Sequence, residues 1–209
     1  MKKLLFSLAV LLCLGTQAQS DRYMQAMKNT LTLMDSARST AELQDVSAKF
    51  ERIGDAEKNQ WIPYYYAALC QTNIGWMDQK IDKDQLAEKA KALITKAEAI
   101  ESNSELSVLR SIVATQQMLV DPSTRYMVFG QDINGNIEKA LQQDPNNPRA
   151  YYMRGANVMG TPAAFGGGKD KAKPILQKSV DLFKVAKAPT AFYPTWGQRQ
   201  AAGALAQCQ

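Results

Sequence analysis

A helical pattern that repeats constrains this chain more than any other feature. Pro63-Tyr64-Tyr65-Tyr66-Ala67-Ala68, Leu106-Ser107-Val108-Leu109-Arg110-Ser111 and Ala150-Tyr151-Tyr152-Met153-Arg154-Gly155 align as three helix openings spaced 43 and 44 residues apart. A second amphipathic helix follows each opening. It runs through Leu86, Ala90, Leu93, Ile94 and Ala97 in the first unit and ends Asn136-Ile137-Glu138-Lys139-Ala140-Leu141 in the second; in the third it carries Ala172, Ile175, Leu176, Ser179 and Phe183. From Asp21 onward apolar residues recur every three to four positions, Gly and Pro fall mostly at the joins, and no convincing period-2 strand is present. Such units bury their apolar faces by stacking on their neighbours, so the expected fold is all-α.

The flanks extend the pattern. Tyr23, Met24, Met27, Leu31 and Met34 share one face of a helix over Asp21 to Met34. Ser39-Thr40-Ala41-Glu42 reads as a capping box that opens a partner helix with Leu43, Val46, Phe50 and Ile53 as its buried stripe and Gly54 at its stop. Pro194 to Cys208 reads as a terminal capping helix anchored by Trp196. The expected organisation is therefore one helical domain over 21–209, made of a degenerate hairpin (21–57), three units (61–103, 104–147, 148–189) and a cap (194–208).

Asn147-Pro148-Arg149-Ala150-Tyr151-Tyr152-Met153-Arg154-Gly155 resembles the opening of a tetratricopeptide repeat, with Tyr151 at the aromatic position and Gly155 at the close-packing small position. The family's small residues in the second helix correspond to Ala90, Ala97 and Ala140, and its closing proline to Pro145. Small residues there let helices approach, and proline ends a helix because it lacks the N–H to continue the ladder. The units carry about 10, 10 and 5 residues more than the 34-residue consensus, which predicts longer helices or loops and an irregular α-solenoid.

Met1-Lys2-Lys3 followed by the apolar run Leu4 to Leu14 and the small residues Gly15 to Ala18 is the pattern of a secretory signal peptide, with cleavage expected after Ala18. The run is too short for a membrane span, which takes about 20 residues, and Leu12 before Cys13 does not suit a lipobox. With Lys2 and Lys3 removed, 25 basic against 20 acidic residues becomes 23 against 20, leaving a net charge of +3. That balance gives no electrostatic warrant for nucleic-acid binding. The expected setting is the periplasm or exterior of a Gram-negative bacterium. Cys70 and Cys208 are the cysteines left; export permits a disulfide between them, and two buried thiols are the alternative.

The sequence has no histidine. That excludes a histidine-based triad, a His-ligated zinc or haem and a histidine pH switch. Cys70 has no imidazole partner, and no Ser-Lys or carboxylate pair stands out, so no enzyme, metal or cofactor is expected. Phe165-Gly166-Gly167-Gly168-Lys169-Asp170 invites comparison with a phosphate loop, but Ala163 stands where a glycine is needed and Asp170 where a Ser or Thr is needed. The stretch Pro162 to Gly168 also looks like a loop of periplasmic tetratricopeptide-like proteins that partner the binding subunits of TRAP-type transporters. The lysines between Lys169 and Lys187 surround an apolar stripe and read as a solvated face.

The tetratricopeptide resemblance also implies a concave groove, whose lining positions correspond to Tyr65, Thr72 and Asn73, then Glu105, Thr115 and Gln116, then Arg149 and Tyr152. Of the five positions of the carboxylate-clamp subclass, here Tyr65, Leu69, Leu109, Arg149 and Met153, only Arg149 matches. The function expected from the sequence is a non-catalytic module that binds a protein or peptide in the cell envelope. The alternative is a small-molecule-binding accessory of a transport system.

Overall fold

The computed structural model describes residues 21–209; the expected signal peptide and its expected cleavage point after Ala18 lie outside the described residues. Helix α1 covers 21–36. It is followed by α2 (Thr40–Glu57), α3 (Ile62–Met77), α4 (Lys83–Glu98), α5 (Ser104–Met118), α6 (Pro122–Gln143), α7 (Pro148–Gly160), α8 (Lys169–Val185) and α9 (Gln198–Ala206). A short 3-10 turn, Ala163–Phe165, precedes α8. No strand occurs among the described residues, as the all-α periodicity requires.

Local chemistry sets the helix ends. Ser39 and Glu42 form the reciprocal capping box, and Asp82, Asn103, Asp121 and Asn147 cap α4, α5, α6 and α7 through their side-chain oxygens. One expected stop is displaced. Helix α2 continues three residues beyond Gly54 to Glu57, and Gly54 serves packing instead: a Cβ there would lie 2.7 Å from Cζ of Tyr64.

From α2 to α9 each helix packs on the next, and α3, α5 and α7 also touch in series, so they form the inner layer of the stacked hairpins. Helix α3 is buried almost all round from Ile62 to Gly75, as a helix apolar on every face must be. The main core runs from Met27 through Tyr65, Ile94, Leu109 and Ile137 to Met153. A smaller cluster of Ala172, Leu176, Ala204 and Cys208 lies under α9, and Tyr152 packs against both.

In the second and third units the extra residues go to the 22-residue α6 and the turn between α7 and α8; in the first they are spread over the 16-residue α3 and α4 and the residues that join them. The expected small-residue contacts are present: Ala90, Ala97 and Ala140 are buried, and a Cβ on Gly155 would sit 2.6 Å from Leu176. Gly155→Ala should therefore destabilise by about 1–3 kcal/mol through overpacking, read as a lower urea midpoint at an unchanged slope. A midpoint equal to the parent's would disprove the tight contact.

The expected terminal helix starts later than Pro194. Residues 186–197 are an irregular strap, and α9 begins at Gln198 after Gly197, whose φ of 110° only glycine adopts readily.

Candidate ligand-binding site

The strap folds back over the N-terminal ends of the inner helices, where the sequence concentrates its aromatic residues. Tyr66 donates a hydrogen bond from its hydroxyl to the Phe192 carbonyl at 3.1 Å, and the Trp196 indole N–H donates to the Tyr65 hydroxyl at 2.6 Å. Arg149 donates to the Pro194 carbonyl. Edge-on contacts pair Tyr23 with Phe192 and Trp61 with Tyr193, both at 6.0 Å between ring centres. The Arg149 guanidinium lies 5.7 Å from the ring centres of both Phe183 and Trp196, a distance at which cation and ring attract.

A buried polar node sits beneath this strap. Glu105 Oε1 accepts hydrogen bonds from Asn147 Nδ2 at 2.9 Å and Arg149 Nη1 at 3.2 Å, with side-chain exposures of 1% for Glu105 and 7% for Arg149. Asn147 also holds Ser104 and caps α7, so the node ties α5 to α7. Among the described residues, Glu105 Oε2 and Arg149 Nε have no hydrogen-bond partner. Burial raises the Glu105 carboxyl to about 7, against the opposing pull of Arg149 and of the hydrogen bond from Asn147.

This shift has a definite sign. The folded state binds the Glu105 proton more tightly than the unfolded chain, so the node's contribution to stability is present below the unfolded carboxyl value and is lost as pH rises towards about 7. Denaturation midpoints should fall across that window, and Glu105→Gln should flatten the fall. An equal slope in the variant would refute the assignment.

Two open spaces adjoin the strap. One, of about 470 Å³, lies between Glu105, Arg149, Phe183, Lys187, Tyr193 and Pro194. The other, of about 870 Å³, is walled by Trp196 and the first turn of α9 and shares Thr195 and Gln198 with the first. Aromatic walls with a few convergent polar groups suit a small organic ligand.

Of the groove positions, Tyr65, Glu105 and Arg149 meet under the strap and are buried. Thr72 and Gln116 are buried further along α3 and α5, where Gln116 donates to the Thr72 carbonyl at 2.6 Å and so joins the two helices. Asn73 and Thr115 are half-buried nearby, and Tyr152 is half-buried between the two apolar clusters. Among the lining residues not expected from the sequence, Phe183, Lys187, Tyr193 and Thr195 come from the end of α8 and the strap; for Tyr193 and Thr195 the signal was the run Phe192-Tyr193-Pro194-Thr195-Trp196.

Other candidates close. The amides of Gly166, Gly167 and Gly168 donate to the carbonyls of Ala163, Pro162 and Val158, so the glycine turn has no free donors to cradle a phosphate. Cys70 and Cys208 are free and buried, and burial pushes the Cys70 thiol up to about 12. Among the described residues no cluster of three or more Cys, Asp or Glu side chains is placed to hold a metal, and no helix is long and apolar enough to cross a membrane.

No protein-family model and no curated protein sequence matches the chain. A solved structure does: the HusA haemophore from Porphyromonas gingivalis aligns at 35% identity with a TM-score of 0.82, over 90% of this chain and 92% of HusA. The chain belongs to the same family as HusA. The alignment covers too much of both chains to leave any hairpin out, so the HusA likeness is to the whole helical array. HusA is a haemophore, a binding protein rather than an enzyme.

Proposed function

We propose that the protein is an exported, non-catalytic carrier of a porphyrin-class ligand, held beside the 186–197 strap, and that its hairpins are diverged tetratricopeptide repeats. The observation that carries this reading is the whole-length likeness to a haemophore, which favours a small-molecule carrier over a peptide-binding module. The site's chemistry supports it. A porphyrin offers a flat apolar macrocycle and acidic side groups; Phe183, Tyr193 and Trp196 supply aromatic surface, and Arg149 and Lys187 supply positive charge.

Ligation of an iron has little to work with here. The chain has no histidine, the Tyr65 and Tyr66 hydroxyls are already hydrogen-bonded, and burial raises both phenols away from the phenolate form. Stacking and ion pairing are the forces left, and neither requires the metal. Protoporphyrin IX without iron should therefore bind residues 19–209 within about threefold of haem, a difference under about 1 kcal/mol. Tryptophan quenching and the Soret band report both titrations. Failure of either compound to saturate one site would sink the carrier reading, and a preference for haem of about a hundredfold would show that the iron is ligated.

A second reading, docking onto a protein partner, has one observation in its favour. The C-terminal ends of the inner helices and the segments just after them expose large apolar side chains in each unit: Trp76 and Met77 at the end of α3, then Leu119 and Val120 after α5 with Met127 early in α6, then Phe165 after α7. Such rows mark interaction surfaces, and a carrier that delivers its ligand needs one.

A further inference from the structure

We infer that the cavity under the strap is a carboxylate subsite that takes up one proton with its ligand: a ligand carboxyl accepts from Arg149 Nε–H and shares a single proton with Glu105 Oε2. The inference deepens the porphyrin reading by naming which ligand group enters the cavity and what controls its affinity.

Two unsatisfied atoms point to it. Glu105 and Arg149 both line the 470 Å³ space, each is more than nine-tenths buried, and each leaves one polar atom without a partner among the described residues and shut off from solvent, so a ligand carboxyl reaches the two atoms as the strap gives way. Leaving such groups unpaired costs on the order of 1–3 kcal/mol each, and a carboxyl satisfies both at once. One of its oxygens accepts from Arg149, and the other lies against Glu105. Two ionised carboxylates cannot share that position, whereas a carboxyl–carboxylate pair holding one proton can. The proton comes from solvent, and none is released elsewhere.

The surroundings fit a protonation step near neutral pH. Arg149 on α7 favours the ionised form of Glu105. Asp144, at the end of α6, disfavours it. Tyr193 on the strap and Tyr65 on α3 face the same carboxyl, and both phenols are raised further by it. The Tyr193 hydroxyl lies beside Glu105 and favours its ionised form. Lys187 lines the same cavity and adds positive charge at its wall. The raised value of about 7 is that of the unliganded Glu105, so above neutrality the shared proton has to be taken up from solvent as the ligand binds.

The test compares protoporphyrin IX, its dimethyl ester and benzoate on residues 19–209 and on Glu105→Gln, between pH 6 and pH 8.5. For the parent, the affinities of protoporphyrin IX and benzoate should fall about tenfold per pH unit above 7, and the ester's should not change with pH. Glu105→Gln should bind both acids independently of pH and, at pH 8, should match the parent at pH 6. Isothermal titration at pH 8 in two buffers of different ionisation enthalpy should show about one proton taken up by the parent and none by the variant. PH-independent binding of the acids by the parent overturns the inference, as does a slope retained in Glu105→Gln or benzoate that fails to bind. Benzoate that binds with the expected slope while neither porphyrin binds keeps the subsite and removes the porphyrin reading.

Discussion

Arg149→Ala is expected to destabilise the fold by about 3–5 kcal/mol at neutral pH, the range for removing one partner of a buried ion pair. The substitution acts on three elements at once. It strips Glu105 of its only cationic hydrogen-bond partner, removes the donor that holds the Pro194 carbonyl, and takes away the cation between Phe183 and Trp196. The Glu105 charge is then left in a site where only Asn147 hydrogen-bonds it.

The loss should depend on pH. Without Arg149 the Glu105 carboxyl rises further, so at pH 4 it is protonated and uncharged in the folded state and the penalty shrinks. At pH 7 the folded state must either bury a bare charge or bind a proton against its concentration, and the penalty is largest. Urea denaturation at the two pH values checks this. A loss of the same size at both would mean that packing and the strap bond, rather than the unpaired charge, account for it.

Trp196→Ala should cost about 2–4 kcal/mol and release the strap. Its indole N–H is the donor to the Tyr65 hydroxyl, and Tyr65 is fully buried, so the substitution orphans a buried oxygen as well as removing ring contacts. The released segment carries Lys187, so trypsin should cut there faster than in the parent, and porphyrin affinity should fall because one wall of the site is gone. Trp196→Phe separates the two contributions: it keeps an aromatic wall and loses the hydrogen bond, so it should retain most of the binding and about half of the stability loss. An unchanged rate of cleavage at Lys187 in Trp196→Ala would show that the strap is held without this residue.

How much of this could be read in advance differs between helix and strap. The capping box at Ser39 and Glu42, the buried stripe of Leu43, Val46 and Phe50, and the close contact at Gly155 are encoded within a few residues of where they act, and the structure places them accordingly. Gly54 shows the limit of local reasoning. A glycine near a helix end has two uses, termination and close approach, and only the position of Tyr64 on the neighbouring helix decides between them.

The candidate site was legible in part. Tyr65, Glu105 and Arg149 stood among the groove positions because the tetratricopeptide resemblance implies which positions of each inner helix turn inward. The same pattern says nothing of what covers that face. Here the cover is the strap, through bonds that join residues 126 and 131 positions apart in the chain, and no periodicity carries a contact of that range.

The sequence by itself determined the helices, their order, their stacking as repeated hairpins and the absence of imidazole chemistry, because each follows from short-range spacing or composition. Only the tertiary structure decided that the strap closes over the inner helices and that Glu105 faces Arg149 in a buried pair, with one unpaired atom on each among the described residues. Helix formation is governed by residues three and four apart, whereas the site depends on which distant segments exclude water from the same polar pair, and that is settled by packing.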